Sequence, residues 1–198
     1  MAIWIKICGL TDARAVSAAA ECGVDAAGFV FAPSAREIGP EAAAALASAL
    51  PASVKRVAVT RHPDAGRVTL IRERFRPDIW QSDAEDLAKI ELPEDCRALP
   101  VWRAGFDESA APPAWLLVEG PASGRGERVD WALAARLAKR ARVVLAGGLD
   151  AGNVAAAIRR VRPFGVDVSS GVESAPGVKD PDRIRAFVAA VRVAERQL

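Results

Sequence analysis

Strand-like runs rich in valine, isoleucine and aromatics recur along this chain, with a helix-like segment after nearly every one. That alternation is the pattern of βα units around a parallel sheet. Eight runs can be drawn, at 3–8, 25–31, 54–60, 78–81, 98–103, 115–119, 142–146 and 165–169. The stretches between them read as helices at 11–22, 40–50, 64–75, 83–90, 131–140, 150–161 and 181–196. A short or degenerate piece near 107–112 completes the set, because Gly105, Pro112 and Pro113 leave little room for a helix there. Eight repeats in 198 residues predict an α/β chain folded as a small (β/α)8 barrel, one domain spanning 1–198. The competing arrangement is an open, doubly wound sheet. For a dinucleotide it would want GxGxxG after the first strand, where this chain has Cys8-Gly9-Leu10-Thr11. The Gly-rich run Ser123-Gly124-Arg125-Gly126 lacks the lysine of a phosphate-binding P-loop.

Two helices carry clear start signals. Asp180 stands as an N-cap before Pro181, with Ile184, Phe187, Val188 and Val191 at helical spacing. Asp150 precedes a second such stripe, Val154, Ala157, Ile158 and Val161.

Charge excludes several partners. Lysine plus arginine total 27 against 25 aspartate plus glutamate, interspersed and without a basic block, so neither nucleic acid nor a membrane surface is an expected partner. Cys8, Cys22 and Cys96 are odd in number and lack CxxC spacing, and His62 is the only histidine with no sequence neighbour to complete a metal site. No metal site or disulfide framework is expected. The N-terminus does not read as a signal peptide, nor any stretch as a membrane span, so the expected location is the cytoplasm.

In a barrel, function gathers at the C-terminal ends of the strands, often with a phosphate held by the loops after strands seven and eight. Strand one, Ile3-Trp4-Ile5-Lys6-Ile7-Cys8, places Trp4, Lys6 and Cys8 on one face and three isoleucines on the other. If the isoleucines pack under helices, Cys8 points into the barrel mouth. Lys6 lies one pleat below it, where an ammonium needs a partner. Asp167 on strand eight has the parity to supply one. Such a pair could lower the thiol pKa or serve only to close the barrel.

Strand seven ends at Gly147-Gly148, where backbone could approach an anion held by amides at a helix start, and strand eight ends Ser169-Ser170-Gly171 beside it. A lone Gly-Gly is usually a turn; the pairing with Ser-Ser-Gly favours an anion site. Asp130 opens a helix, where N-capping is the commoner role, and its place on the same rim as Cys8 leaves a second one open. Arg36, after strand two, could clamp a carboxylate or phosphate bidentately or simply be solvated.

Taken together, these residues resemble phosphoribosylanthranilate isomerase, the barrel enzyme family of tryptophan biosynthesis. The likeness rests on Lys6-Ile7-Cys8-Gly9, on Gly28-Phe29-Val30-Phe31 with Ser34-Ala35-Arg36, on Asp130-Trp131 and on Gly147-Gly148-Leu149. It extends through Gly165-Val166-Asp167-Val168-Ser169-Ser170-Gly171-Val172-Glu173 to Pro176-Gly177-Val178-Lys179-Asp180. The resemblance implies an Amadori rearrangement of N-(5'-phosphoribosyl)anthranilate, a small phosphorylated substrate, without cofactor, by a monomer or homodimer. Asp130 would be the general acid that protonates the ribose ring oxygen, and Cys8 the general base that removes the C2 proton. Arg36 would face the anthranilate carboxylate, while Gly147, Gly148, Ser169, Ser170 and Gly171 would hold the phosphate. The chain departs from the usual pattern in the strand-two loop, where Ala35 stands for a common proline, in the altered glycine run Ser123-Gly124-Arg125-Gly126, and along strands three to six. It has Gln81-Ser82-Asp83-Ala84 where the family commonly reads Gln-Leu-His-Gly, Thr60 in place of a phenylalanine, and Glu119 in place of an aspartate. Two other readings fit the residues: an isomerase of another phosphorylated aminosugar, and a catalytically silent phosphate-binding barrel.

Overall fold

The computed structural model describes residues 2–103, 111–120 and 129–198. Eight parallel strands close into a barrel: β1 (Trp4–Cys8), β2 (Ala26–Val30), β3 (Lys55–Val59), β4 (Ile79–Asp83), β5 (Arg97–Arg103), β6 (Trp115–Glu119), β7 (Arg142–Leu145) and β8 (Gly165–Val168). They pair in chain order, and β8 returns to β1 with Asp167 directly opposite Lys6.

Among the described residues, seven α-helices lie outside: α1 (Ala13–Glu21), α2 (Pro40–Ala47), α3 (Ala65–Leu70), α4 (Ala84–Leu87), α5 (Trp131–Ala138), α6 (Val154–Val161) and α7 (Pro181–Glu195). The predicted helix over 64–75 is α-helical only to Leu70 and continues as a π turn through Ile71–Phe75, ending at Arg76 in the left-handed region. Most of the predicted piece near 107–112 falls at 104–110, outside the described residues. No helix among the described residues is long and apolar enough to cross a membrane.

Cap chemistry explains one agreement and one correction. Asp180 caps α7 as expected, accepting from the amides of Asp182 and Arg183. Asp150 does not start α6, which begins four residues later behind Asn153. Instead the Asp150 carboxylate closes a turn on the amides of Gly152 and Asn153, the local bond that lets aspartate compete with helix.

Strand periodicity sorts the side chains into two apolar layers. Ile3, Ile5 and Ile7 point outward and pack with Val16, Phe187 and Val191 beneath the helices. Burying each side chain contributes about 1.5–3 kcal/mol. Ala26, Val57, Leu99, Leu117 and Val144 fill the interior. At the N-terminal end Trp4 meets Trp115 edge-on at 6.0 Å and Phe164 at 6.3 Å, forming an aromatic floor. The polar inward positions are thereby concentrated toward the C-terminal mouth.

Candidate active site

The expected ion pair lies inside the barrel just below the mouth. Lys6 is fully buried, and its Nζ donates to Asp167 Oδ1 at 2.7 Å. Burial works against the ammonium, yet Asp167 and Cys8 outweigh it and hold the lysine pKa above its ordinary value. The pair does not turn Cys8 into a low-pKa thiol. Burial pushes Cys8 up, Lys6 pulls it down, Asp167 adds to the rise, and the net direction is upward. The expected activation by a cation fails because Asp167 already offsets Lys6 and the thiol itself is buried.

Cys8 lines a mouth cavity of about 240 Å³, together with Arg36, Gln81, Arg103, Glu119 and Ser169. Arg36 reaches it from the loop after β2. Its side-on edge is taken by Glu173, with Nε to Oε1 at 2.7 Å and Nη2 to Oε2 at 2.9 Å. The end-on edge, Nη1 with the second Nη2 hydrogen, has no partner among the described residues. Glu173 opens a short hairpin of β9 (Glu173–Ala175) and β10 (Val178–Lys179). Burial works against its charge, but the hydrogen bonds from Arg36 and Lys179 prevail and hold its carboxyl below the usual range.

A smaller cleft adjoins the mouth, lined by Gly147, Gly148, Ser169 and Ser170. Gly147 and Gly148 both have positive φ, 89° and 63°, and their amides donate to no described residue. These are loop amides: α6 starts only at Val154, so the expected contribution from a helix start is absent. Asn153 fixes the turn by donating from Nδ2 to the Gly148 carbonyl at 2.7 Å. Ser170 and Gly171 follow in a single 3₁₀ turn, Ser170–Val172. The Ser169 hydroxyl faces elsewhere than expected: it donates to the Cys8 carbonyl at 3.0 Å and accepts from Lys179 at 3.2 Å.

Asp130 is the N-cap of α5, exposed, with Oδ1 accepting from the Ala132 amide at 2.7 Å. It does not line the described part of the mouth cavity, and the loop leading to it, 121–128, lies outside the described residues. Its Oδ2 has no partner among the described residues.

The divergent strand ends form their own network. The Trp80 indole donates to Thr60 Oγ1 at 2.9 Å, and Ser82 bonds both the Thr60 carbonyl and Asp86. Arg103 pairs with Asp83 and, through Nε at 2.9 Å, with Glu119. His62, which lacks a metal-binding neighbour in sequence, does meet Asp83 and Asp86, with donor atoms all within 4.8 Å. Hydrogen bonds already account for that cluster, since Asp86 accepts from the His62 amide and from Ser82 while Asp83 is engaged by Arg103. Glu173, Lys179 and Arg103 are the site residues to which sequence reasoning assigned no role.

The chain matches the model of the N-(5'-phosphoribosyl)anthranilate (PRA) isomerase family over residues 5–190. It is 40% identical to the N-(5'-phosphoribosyl)anthranilate isomerase of Azorhizobium caulinodans, over 98% of this chain and 94% of that protein. Among solved structures, TrpF from Jonesia denitrificans superposes with a TM-score of 0.82 at 37% identity, over 98% of both chains. A phosphoribosyl anthranilate isomerase in complex with reduced 1-(o-carboxyphenylamino)-1-deoxyribulose 5-phosphate superposes with a TM-score of 0.82 at 33% identity, over 96% of this chain and 99% of that one.

Proposed function

The chain belongs to the N-(5'-phosphoribosyl)anthranilate isomerase family and is an isomerase of that class; from this premise we propose how its own residues carry out the reaction. Asp130 donates a proton to the ribose ring oxygen, the ring opens to an imine, and Cys8 removes the C2 proton to give the enolamine that becomes the ketone. Arg36 receives the anthranilate carboxylate on its end-on edge. The Gly147 and Gly148 amides, with Ser170 and Gly171, hold the phosphate, while Ser169 supports the site from behind through the Cys8 carbonyl. The single-domain barrel works in the cytoplasm as a monomer or homodimer.

The observation that carries this reading is that Cys8, Arg36 and Ser169 line one cavity at the barrel mouth. A raised thiol pKa makes the thiolate scarcer near neutrality but more basic once formed, which suits abstraction of a weakly acidic carbon-bound proton. Lys6 stands close enough to stabilise the charge as it develops.

Quenching of anthranilate-type fluorescence on freshly prepared substrate tests the assignment. Cys8→Ala and Asp130→Asn should each lower kcat on the order of a hundredfold or more. In Asp130→Asn, where the acid no longer titrates, the residual kcat/KM should rise with pH, because the base works deprotonated and its pKa is raised above the ordinary thiol value. A Cys8→Ala variant of near-parental kcat would remove the thiol from the mechanism.

A further inference from the structure

Arg36 has two donor edges, and a protein carboxylate holds only one of them. Glu173, with its side chain 5% exposed, grips the side-on edge through two bonds of 2.7 and 2.9 Å. A guanidinium gripped in this way loses most of its rotational freedom, so its other edge is presented in a fixed direction. The network continues beyond Glu173. Lys179, on β10 and equally buried, donates to the same Glu173 Oε1 at 2.6 Å and to the Ser169 carbonyl at 3.1 Å. The Ser169 hydroxyl then donates to the Cys8 carbonyl at 3.0 Å. The arginine after β2, the hairpin after β8 and the backbone of the thiol-bearing strand are thus joined by one run of hydrogen bonds.

Close backbone packing keeps the hairpin in place. Gly177, at φ +81°, turns the hairpin so tightly against the strand-two loop that a Cβ there would stand 2.2 Å from the Ala35 carbonyl oxygen. The carboxylate therefore approaches Arg36 from a frame that cannot slide. The Arg183 side chain anchors it further by donating to the Glu173 carbonyl.

We propose that Glu173 is a positioning residue for substrate carboxylate recognition: it holds the side-on edge of Arg36 so that the end-on edge meets the carboxylate already oriented, with Lys179 tying this clamp to β8. The proposal rests on the reading of Arg36 as the carboxylate clamp. It explains why a buried acid sits against a group meant to bind an acid. Glu173 competes for neither end-on hydrogen, and it removes the ordering cost that a free arginine side chain would meet on binding.

The test compares N-(5'-phosphoribosyl)anthranilate with N-(5'-phosphoribosyl)aniline, which lacks the carboxylate. In Glu173→Gln, KM for the first should rise about tenfold with kcat within about twofold, while kcat/KM for the second stays within about twofold of the parent. An equal loss on both substrates, or no change on either, overturns the proposal. Arg36→Met, run alongside, should abolish the preference for the carboxylate-bearing substrate. If that preference survives, the clamp reading itself fails; if it disappears while Glu173→Gln leaves it intact, only the positioning role fails. Glu173→Asp keeps the charge on a shorter arm and serves if the glutamine variant does not fold. Its KM increase should be smaller and again confined to the carboxylate-bearing substrate, and an equal loss on both substrates overturns the proposal in the same way.

Discussion

Two arcs of the barrel mouth hold an arginine in opposite ways. On the arc of β8, β1 and β2, Arg36 meets one carboxylate, Glu173, which also takes Lys179, so two cations share one acid. On the arc of β4, β5 and β6, Arg103 meets two carboxylates among the described residues, Asp83 and Glu119, so one cation is shared by two acids there. The substrate of this family carries an anion at each end. The first arc, with its surplus of positive charge and the glycine amides beside it, is the electrostatically favoured seat for those anions. On the second arc, which carries several of the departures from the usual family residues, Arg103 bonds both Asp83 and Glu119.

The first arc breaks most severely at its foundation. Lys6→Met leaves Asp167 buried without its partner, and breaking a buried pair from one side costs about 3–5 kcal/mol. Chemical denaturation should show that loss, and activity should fall with it, since Cys8 stands one pleat above. A midpoint unchanged from the parent would mean that the pair contributes nothing to barrel closure.

How much of this was legible beforehand differs between the arcs for physical reasons. The eight-unit barrel and the inward parity of Lys6 and Cys8 follow from a period of two, which sequence displays directly. The Lys6–Asp167 pair was legible as well, because β8 closes on β1 and both residues point inward. Parity names neighbours but not burial, so the upward shift of the Cys8 thiol was hidden. Glu173 was hidden because its strand is only three residues long, and its partner Arg36 lies 137 positions away. The Arg103 network had an unused signal: Asp83, Arg103 and Glu119 are each the last residue of three adjacent strands.

A second intervention separates clamp geometry from stability. Gly9 has φ +76°, and a Cβ there would lie 2.6 Å from Arg36 Cδ. Gly9→Ala should cost about 1–2 kcal/mol from the left-handed backbone alone. The displaced arginine stem should add a KM increase of about tenfold on the carboxylate-bearing substrate. If stability falls without any change in KM, the stem yields and the fork keeps its place, which would show the first arc to be more compliant than its packing implies.

The mildest expected effect lies on the second arc, and it sharpens the contrast most. Asp83→Asn removes one of the two acids around Arg103 but keeps the side-chain shape and leaves Glu119 bonded to Arg103 Nε at 2.9 Å. Both side chains of the Asp83–Arg103 pair are partly exposed, so the loss should stay within about 1 kcal/mol. Redundancy predicts more than a small number: KM should change by less than about twofold, because the arginine remains anchored and no anion of the substrate is assigned to that arc. A fall in KM larger than this would mean that Arg103, freed from one acid, has become a second anion seat. The surplus of carboxylates on the second arc would then be a device that keeps the substrate in one orientation, rather than the residue of a wall that has drifted.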